Sequence, residues 1–419
     1  MRSFSATSRA VVVMAVVLFL SQATASMAGP SILIGPYFQN PGPTSVTIQY
    51  ITDLQTDGLI RYGEGRSMDK QVKSNLRGRT PGDEAWVYEA RVTGLQPGKE
   101  YRYRVFPSGG SDAAASTVRK FRTFPDQARS VSFIVYSDTQ TNPAAHKEVV
   151  SNFNRHDPAF ILHAGDMTDK GTNFSLLPVF FGAVAGIVDH VPMMIAIGNH
   201  DGGSANLLRL FDLPGGRSYY SFECGPGHVV MLDAFQEGPD VLQWLEQDLA
   251  AATAPWKVAV YHTPTFNFGG HHSNDHRNTF LPLFVKYGVD VVFAGHSHVY
   301  ERFKPMMADA DAGRVITFIT TGSAGGRLRP SIQDDVLAKA ATLFDYIVVT
   351  ASKGACRIES FDARGKPFDS LTISKKNGRV DNFYLAQAIP MNEAVRATEA
   401  PTKRSAAPPR PARSLRKAA

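Results

Sequence analysis

Cysteine is almost absent from this chain of 419 residues, which contains only Cys224 and Cys356. A scaffold built on several disulfides is therefore excluded, and the two cysteines form either one bridge or two buried free thiols. Long apolar runs are also scarce. The longest uninterrupted one, Ala10–Leu20, is shorter than the roughly 20 residues that a membrane-spanning helix needs. These shortages exclude a polytopic membrane protein, and the length favours two domains with buried cores.

Residues 1–28 predict a secretory signal peptide. Arg2 and Arg9 precede or flank the apolar run, no acidic residue occurs there, and small residues offer cleavage sites at 23–25 and 26–28. The mature protein is then secreted or periplasmic, without a transmembrane span. The alternative is an uncleaved membrane anchor.

An excess of basic residues is confined to the two ends of the chain. The formal net charge is +6, but residues 391–419 hold seven Lys or Arg against two Glu. The body is close to neutral, so no nucleic-acid partner is expected for it, although the tail could contact polyanions. Residues 376–419 are predicted to be a C-terminal extension, largely disordered, because its end is rich in Pro, Ala and Arg.

Residues 29–126 predict an all-β sandwich of the fibronectin or immunoglobulin type. Short runs rich in β-branched and aromatic residues alternate there with turn residues, as in a small sandwich. The predicted strands are 45–50, 59–63, 87–95, 101–106 and 118–124.

Residues 127–375 have a different pattern, which predicts an α/β domain. Fully apolar runs are typical of strands buried on both faces, and intervals of about 30 residues fit strand–helix–strand units. Later runs predict a second sheet packed on the first. The predicted strands are 131–136, 160–163, 193–197, 257–261, 289–294, 314–321, 344–350 and 355–362.

Five of the apolar runs end in polar clusters, and carboxyl ends of strands are where ligands gather. Each cluster alone has an ordinary structural explanation, but the ordered set of carboxylates, an amide and imidazoles predicts a metal site. Mixed oxygen and imidazole ligands suit Fe, Zn or Mn, and the absence of thiolates argues against structural zinc. The clusters are Ser137–Gln140, Gly165–Asp169, Gly198–Asp201, Tyr261–Pro264 and Gly295–His298.

This set resembles the metallophosphoesterase (calcineurin-like) superfamily, specifically its purple acid phosphatase branch, over about residues 30–375. The sequence Gly295-His296-Ser297-His298-Val299-Tyr300-Glu301-Arg302 carries the resemblance, together with His271-His272 after His262 and the preceding β-module. The expected fold is an α/β core of two packed β-sheets flanked by helices. The resemblance implies two metal ions: Asp166 bridges them, Asp138 and His298 bind one, and Asn199, His262 and His296 bind the other.

The resemblance also suggests roles for residues around the metals. His200 would steady the transferring group or protonate the leaving group, whereas packing is its alternative role. His271 and His272 would contact phosphate oxygens, or be solvated loop residues. Arg327 could meet a substrate anion, although an ordinary Gly-rich turn explains its segment as well.

Two positions depart from the purple acid phosphatase pattern. Asp169 replaces the expected tyrosine, so a tyrosinate–iron(III) colour is not expected, and its carboxylate is predicted to pair with His200. Gln140 stands where calcineurin-like enzymes have a metal-binding histidine, and it either binds metal or contacts a metal-bound water.

The sequence therefore predicts an exported phosphatase that hydrolyses phosphomonoesters of small molecules through a metal-bound hydroxide. A phosphodiesterase or nucleotide hydrolase on the same metal core is the alternative within this chemistry. A binding protein with a degenerate metal domain is the alternative outside it. The β-module would shape one rim of the pocket or support a homodimer.

Overall fold

A computed structural model of the chain describes residues 29–271 and 275–399. The strands are β1 (Ile32–Gln39), β2 (Ser45–Thr52), β3 (Leu59–Gly63), β4 (Lys70–Lys73), β5 (Asn75–Arg79), β6 (Trp86–Thr93), β7 (Glu100–Phe106), β8 (Arg119–Arg122), β9 (Ser130–Tyr136), β10 (Phe160–His163), β11 (Met193–Ile195), β12 (Tyr220–Cys224), β13 (Gly227–Met231), β14 (Trp256–Val260), β15 (Val291–Ala294), β16 (Tyr300–Phe303), β17 (Met306–Asp309), β18 (Arg314–Thr321), β19 (Leu337–Ala341), β20 (Asp345–Ser352), β21 (Ala355–Asp362), β22 (Pro367–Lys376), β23 (Arg379–Val380) and β24 (Ile389–Pro390). The helices are α1 (Pro143–Val150), α2 (Leu177–Val184), α3 (Ser204–Leu210), α4 (Pro239–Ala251), α5 (Phe280–Tyr287), α6 (Asn382–Leu385) and α7 (Met391–Glu399).

The N-terminal module consists of two antiparallel four-stranded sheets, ordered β1-β2-β6-β5 and β4-β3-β7-β8. Strand β7 shows why they face each other: Tyr101, Tyr103 and Val105 are buried, whereas the intervening arginines are half-buried. This alternation gives each sheet one apolar face, and the two faces close on a common core.

The second domain has two larger mixed sheets. One is ordered β11-β10-β9-β20-β21-β22-β23, and the other follows β12-β13-β14-β15-β18-β16-β19, with β17 and β24 attached. Strands β9, β10 and β11 are parallel, as are β13, β14, β15 and β18. Their carboxyl ends therefore meet at one edge of each sheet, and the inner faces share one apolar core.

The helices begin and end where local chemistry dictates. The Asn142 side chain accepts a hydrogen bond from the backbone N–H of Ala145, and Pro143 occupies the first turn of α1. Helix α5 ends at Gly288, whose φ of 68° lies in the left-handed region that favours glycine. Such signals hold the helices against the sheets in the expected layers.

The two domains are joined by a buried interface. The Tyr37 hydroxyl donates to the Leu210 carbonyl at 2.6 Å, and the Tyr103 hydroxyl donates to the Asp189 carbonyl at 2.6 Å. Buried residues of the module, including Ile34 and Tyr37, belong to the same apolar cluster as the α/β core. The sandwich is thus packed into the second domain.

The structure contains every predicted strand, with bounds shifted by a few residues, and confirms the predicted α/β core preceded by a sandwich. The predicted boundary at residue 126 falls between β8 and β9. Cys224 and Cys356 are both buried free thiols, so the bridge is not formed. Within the described parts of the chain, no helix is long and apolar enough to cross a bilayer.

The predicted C-terminal extension needs correction at its beginning. Residues 379–399 contain β23, α6, β24 and α7, because their scattered apolar side chains, such as Tyr384 and Ala394, are buried against the second domain. Only the part beyond Glu399 is Pro-rich. That part and the predicted signal, residues 400–419 and 1–28, lie outside the described residues.

Candidate metal centre

The candidate site lies at the strand ends, where the chain turns sharply out of the sheets. Four side chains there sit on residues with positive φ: Asp138 at 55°, Asp166 at 60°, His296 at 67° and His298 at 52°. Non-glycine residues seldom adopt this left-handed conformation, and it concentrates at functional sites. The turns direct side chains from both sheets into one pocket.

Asp138, Asp166 and His298 form the first group of potential metal ligands. One donor atom from each lies within 4.8 Å of the others, and all three residues are buried. Gln140 lies beside them, with Nε2 at 3.1 Å from Asp166 Oδ2 and 3.1 Å from His298 Nε2. Its buried Oε1 has no hydrogen-bond partner in the part of the chain that the structure describes.

Asn199, His262 and His296 form the second group. Asn199 Oδ1 lies 3.0 Å from His262 Nε2 and 3.0 Å from His296 Nδ1, and the two ring nitrogens are 3.2 Å apart. Asp166 joins the two groups, because its Oδ2 lies 3.3 Å from His262 Nε2. The structure thus brings together all six residues predicted as ligands.

The hydrogen bonds of the rings show that a cation fits this cluster. Nδ1 of His262 donates to the Ala164 carbonyl at 2.8 Å, and Nδ1 of His298 donates to the Arg327 carbonyl at 3.0 Å. In a neutral ring, Nε2 is then an acceptor, and it faces carboxylate oxygens that also only accept. A metal ion between these atoms would replace their repulsion by coordination.

His262 and Asp166, at the centre of the site, strongly affect each other's pKa. Burial lowers the pKa of His262, but the nearby Asp166 carboxylate raises it by more, so the net pKa is above its usual value. Burial likewise raises the pKa of Asp166, and His262 lowers it below its usual value. The centre therefore favours a carboxylate beside a positive charge, which a metal ion can supply.

Asp201 supports the site, although the sequence analysis gave it no role. Its carboxylate accepts hydrogen bonds from the backbone N–H groups of Asp166, Met167 and Gly198 at 3.0, 2.9 and 2.7 Å. It therefore ties together the loops that follow β10 and β11. Burial, and next the charge of Asp166, raise the pKa of Asp201 to about 7.

His200 is held by Asp169, but through a different atom from the predicted one. His200 Nδ1 donates to the backbone carbonyl of Asp169 at 2.7 Å, whereas the Asp169 carboxylate lies 3.8 Å away and is 62% exposed. The carbonyl still fixes the ring tautomer, because it can only accept. Nε2 of a ring that is 39% exposed is then available to a substrate.

His271 lies over the metal pocket. Its ring centroid is 5.1 Å from that of His296 and 5.5 Å from that of His298. Burial, and next the guanidinium of Arg329, lower its pKa, which favours the neutral ring. His272, predicted beside it, lies outside the described residues.

Glu301 and Asn267 hold the segment that bears His271. The buried Glu301 carboxylate accepts from the backbone N–H groups of Phe268 and Gly269, at 3.1 and 2.8 Å. Asn267 Nδ2 donates to the His271 carbonyl at 2.6 Å. Glu301 stands in the quoted motif, but its role depends on a contact 32 residues away in sequence.

The rim of the site contains three further side chains. Arg327, predicted to meet a substrate anion, is exposed, and its carbonyl holds His298. Arg329, two residues further on, lies with Nη2 at 3.4 Å from His271 Nε2. Phe235 is 51% exposed, and its ring centroid is 6.5 Å from that of His262. The sequence analysis assigned no role to Arg329 or Phe235.

Glycines form part of the pocket wall because nothing larger fits. A Cβ on Gly198 would lie 2.1 Å from Asp166 Oδ1, and one on Gly295 would lie 2.4 Å from Asp138 Oδ2. Both distances are far below van der Waals contact. The two carboxylates can therefore lie this close to residues 198 and 295 only because neither residue has a Cβ.

Two family models match the chain. Residues 35–123 match the purple acid phosphatase N-terminal domain, and residues 131–300 match the calcineurin-like phosphoesterase domain. A probable purple acid phosphatase 20 of Arabidopsis thaliana is 25% identical over 317 residues, which cover 68% of this chain and 72% of that protein. The matches divide the chain as its two domains do.

Two solved structures share the fold. The purple acid phosphatase PPD1 from yellow lupin (Lupinus luteus) seeds superposes with a TM-score of 0.71 at 16% identity, over 87% of this chain and 76% of its own. The structure of PhoD gives a TM-score of 0.60 at 14% identity, over 88% and 98%. At such identities the likeness concerns the fold alone.

Proposed function

Because this chain is a member of the calcineurin-like phosphoesterases that carries the N-terminal domain of purple acid phosphatases, we propose that it hydrolyses small phosphate monoesters at a centre for two metal ions. The observation that carries the proposal is the convergence of Asn199 Oδ1, His262 Nε2 and His296 Nδ1 within 3.2 Å, next to the group of Asp138, Asp166 and His298. Export of the enzyme belongs to the proposal and rests on the predicted signal peptide.

Each metal position has a proposed set of residues. Asp138, Asp166 and His298 hold one ion, and Asn199, His262 and His296 hold the other, with Asp166 shared. Bound ions of this kind polarise a phosphoryl group and lower the pKa of water. A metal ion fits these positions because hydrogen-bond acceptors face each other there at 3.0 to 3.4 Å. His262 Nε2 faces oxygens of Asn199 and Asp166, and His298 Nε2 faces an oxygen of Asp138.

Gln140 extends the first group. Its amide nitrogen faces Asp166 Oδ2 and His298 Nε2, while its oxygen is buried without a partner among the described residues. A half-turn of the amide would exchange the two atoms and satisfy the nitrogen elsewhere. The oxygen would then serve as a further ligand to the ion held by Asp138, Asp166 and His298.

The residues around the pocket divide the remaining work. His200, with Nδ1 donating to the Asp169 carbonyl, presents Nε2 toward the leaving group and holds or delivers a proton there. His271 donates to a phosphoryl oxygen from the opposite rim. Two carboxylates facing two cations leave a net positive pocket, which suits the dianion of a monoester better than the single charge of a diester.

The metal content and the reaction can be tested together. The mature protein, purified without added metal, is analysed for metal and assayed with p-nitrophenyl phosphate and bis(p-nitrophenyl) phosphate before and after chelation. We expect two ions per chain, preference for the monoester, and loss of activity on chelation. Preference for the bis-ester would assign the chain to phosphodiesterases instead.

Two variants connect the activity to the named residues. We expect Asn199→Ala and His262→Ala each to lower kcat/KM at least roughly a hundredfold, because even groups that only support metal ligands affect activity by 10- to 100-fold. Gln71→Ala, on the exposed strand β4 of the sandwich, is the control. Unchanged hydrolysis in both site variants would refute the site. A folded protein that never hydrolyses either ester would favour a binding function.

The replacement of the expected tyrosine by Asp169 gives the centre a spectroscopic signature. Without a phenolate ligand there is no tyrosinate–iron(III) charge-transfer band. The purified active protein is therefore expected to lack this visible band even when it contains iron(III).

A further inference from the structure

Arg329 lies at the rim of the pocket on a rigid piece of backbone. Its N–H donates to the carbonyl of His298 at 3.0 Å, and its own carbonyl accepts from the Thr342 hydroxyl at 3.1 Å. The first bond fixes Arg329 directly to a proposed metal ligand. The backbone of Arg329 therefore has a fixed position relative to the pocket, and the side chain extends from it.

The Arg329 side chain has unused capacity for hydrogen bonds. Nη2 contacts His271 Nε2 at 3.4 Å, but the buried Nε has no partner within the described part of the chain. No carboxylate among those residues forms an ion pair with it. A buried donor without a partner is costly, and a guanidinium supplies several N–H groups in a fixed plane.

The guanidinium of Arg329 contacts the ring of His271, which lies beside the proposed metal ligands. An arginine can only donate, so His271 Nε2 accepts and the proton of the neutral ring is on Nδ1. The His271 ring lies 5.1 and 5.5 Å from the rings of His296 and His298. The guanidinium therefore lies against a ring that adjoins the rings of two proposed ligands.

We propose that Arg329 binds a second anionic group of the substrate, so that the site favours phosphoryl compounds with an anionic leaving group, foremost diphosphates. This inference rests on the proposed function. A phosphoryl group bound between the two groups of ligands is within reach of His271. In a diphosphate, the next phosphoryl group follows through a single bridging oxygen and extends to the position of Arg329, where a planar fork binds its oxygens.

The reaction is hydrolysis and needs no partner other than water. The bond between the inner phosphorus and the bridging oxygen breaks, and the oxygen of water bonds to that phosphorus. The bridging oxygen leaves with the outer phosphoryl group and takes up a proton, and the attacking water gives up a proton as its oxygen bonds to phosphorus. Inorganic pyrophosphate thus yields two phosphates, and the charge held by Arg329 stabilises the departing one.

The test compares two substrates in three variants of the metal-loaded enzyme. Arg329→Gln removes the charge, Arg329→Lys keeps the charge without the fork, and Lys353→Gln is the charge-matched control. Lys353 is exposed in the turn between β20 and β21, at the sheet edge where β9 begins, opposite the pocket. Pyrophosphate has a second anionic phosphoryl group, whereas the nitrophenyl group of intact p-nitrophenyl phosphate carries no negative charge.

We expect Arg329→Gln to raise KM for pyrophosphate about tenfold or more, as loss of a hydrogen bond to a charged group implies, with little change for p-nitrophenyl phosphate. KM for pyrophosphate in Arg329→Lys should lie between the values of the wild type and Arg329→Gln. KM in Lys353→Gln should match the wild type. Equal losses on both substrates would mean that Arg329 contacts the transferred phosphoryl group. Loss on neither would remove it from recognition. Either result overturns the inference.

A binding measurement separates this inference from the proposed function. Calorimetric titration of the metal-loaded protein with methylenediphosphonate and with methylphosphonate does not depend on turnover. Arg329→Gln should weaken only the first ligand. If the wild type hydrolyses neither substrate, but Arg329→Gln binds only methylenediphosphonate more weakly than the wild type does, the hydrolase proposal fails and the anion site stands. Equal binding of each ligand by wild type and variant contradicts the anion site itself.

Discussion

Asn199 supplies an oxygen to the site without a negative charge. Its Oδ1 lies 3.0 Å from ring nitrogens of His262 and His296, the other two residues that would hold the same ion. An aspartate there would keep the shape and add a third carboxylate to the pocket. The field that attracts a phosphate dianion would weaken.

We therefore expect Asn199→Asp to raise KM for p-nitrophenyl phosphate severalfold while metal remains bound. Steady-state kinetics with parallel metal analysis measure both quantities. Wild-type KM and kcat in a variant with full metal content would contradict the role assigned to the uncharged amide. Reduced metal content would assign the loss of activity to metal binding instead of to the attraction of phosphate.

Asp201 is a positioning residue at the same scale. One carboxylate accepts three backbone N–H groups from two loops, at 2.7 to 3.0 Å. An asparagine has the same size but only one acceptor oxygen, and its amide hydrogens would face a backbone donor. Both loops, which carry Asp166 and Asn199, would then shift.

Asp201→Asn is expected to lower metal affinity and kcat/KM by about 10- to 100-fold, the usual range for groups that orient metal ligands. Equilibrium dialysis against a metal buffer measures the affinity independently of turnover. Activity restored by excess metal would support positioning. Normal metal affinity with lost activity would assign Asp201 a direct part in the chemistry instead.

The sequence predicts which side chains come together at the candidate site but not the residues that support them, for a physical reason. Each ligand directly follows an apolar run that must be a strand, so parallel pairing brings the set together. Glu301 and Arg329 act on residues 32 and 58 positions away, across loops of irregular backbone. Nothing local in the sequence records such contacts, which depend on the folded loops.

Helix α4 is held to the edge of the nine-stranded sheet by a charged histidine. His228 on β13 contacts Glu223 of β12 at 2.7 Å and Asp248 of α4 at 2.8 Å. Burial lowers its pKa, but the hydrogen bonds to Asp248 and Glu223 raise it by more, to about 9. The imidazolium therefore links two strands and a helix.

This link predicts a pH-dependent stability. The pKa of His228 in the folded state is above its unfolded value of about 6.5, so the contribution is complete below pH 6.5 and is lost as pH rises through about 9. The wild type should exceed His228→Gln in free energy of unfolding by on the order of 2 kcal/mol more at pH 6 than at pH 9.5.

Urea denaturation followed by tryptophan fluorescence at both pH values checks the prediction. Glu223→Gln is a useful companion, because it removes the exposed partner and leaves Asp248, so its effect should be smaller. A difference between wild type and His228→Gln that does not change with pH would contradict the ionic link.

Among the elements, the strands that the sequence predicts contain buried apolar residues, although the buried strands β1 and β13 are not among them. Strands β9, β10 and β15 are dominated by buried apolar residues and stand out from their surroundings. Strands β4 and β5 were missed because they are largely exposed and polar, so no hydrophobic pattern marks them. Their pairing with neighbours, rather than their own composition, makes them strands.

At the scale of the whole molecule, the sandwich has an apolar cluster of its own but also contributes residues such as Ile34 and Tyr37 to the core of the α/β domain. Arg77 of β5 strengthens the joint, because its guanidinium donates to the carbonyls of Leu208 and Phe211 at the end of α3 and pairs with Glu89. Helix α3 follows the loop that bears Asn199 and His200. The module therefore supports the metal site from behind.

We expect the folded protein to unfold in a single thermal transition, because residues of both domains belong to one apolar cluster across their interface. Arg77→Ala should lower the midpoint without splitting the transition, by an amount equivalent to about 1 to 3 kcal/mol for carbonyls that lose a charged donor. Lys73→Ala, exposed on β4, is the control. Two separate transitions in scanning calorimetry would show independent domains.

The glycine wall beside the metal ligands restricts how such an enzyme can evolve. At Gly198 and Gly295 every substitution places a carbon against a carboxylate oxygen, so mutation there removes the centre and cannot reshape it. Heritable variation in substrate range is left to the segments that bear Phe235, His271 and Arg329. New substrate specificities are thus expected to arise from substitutions in these segments, while Gly198 and Gly295 stay unchanged between distant relatives.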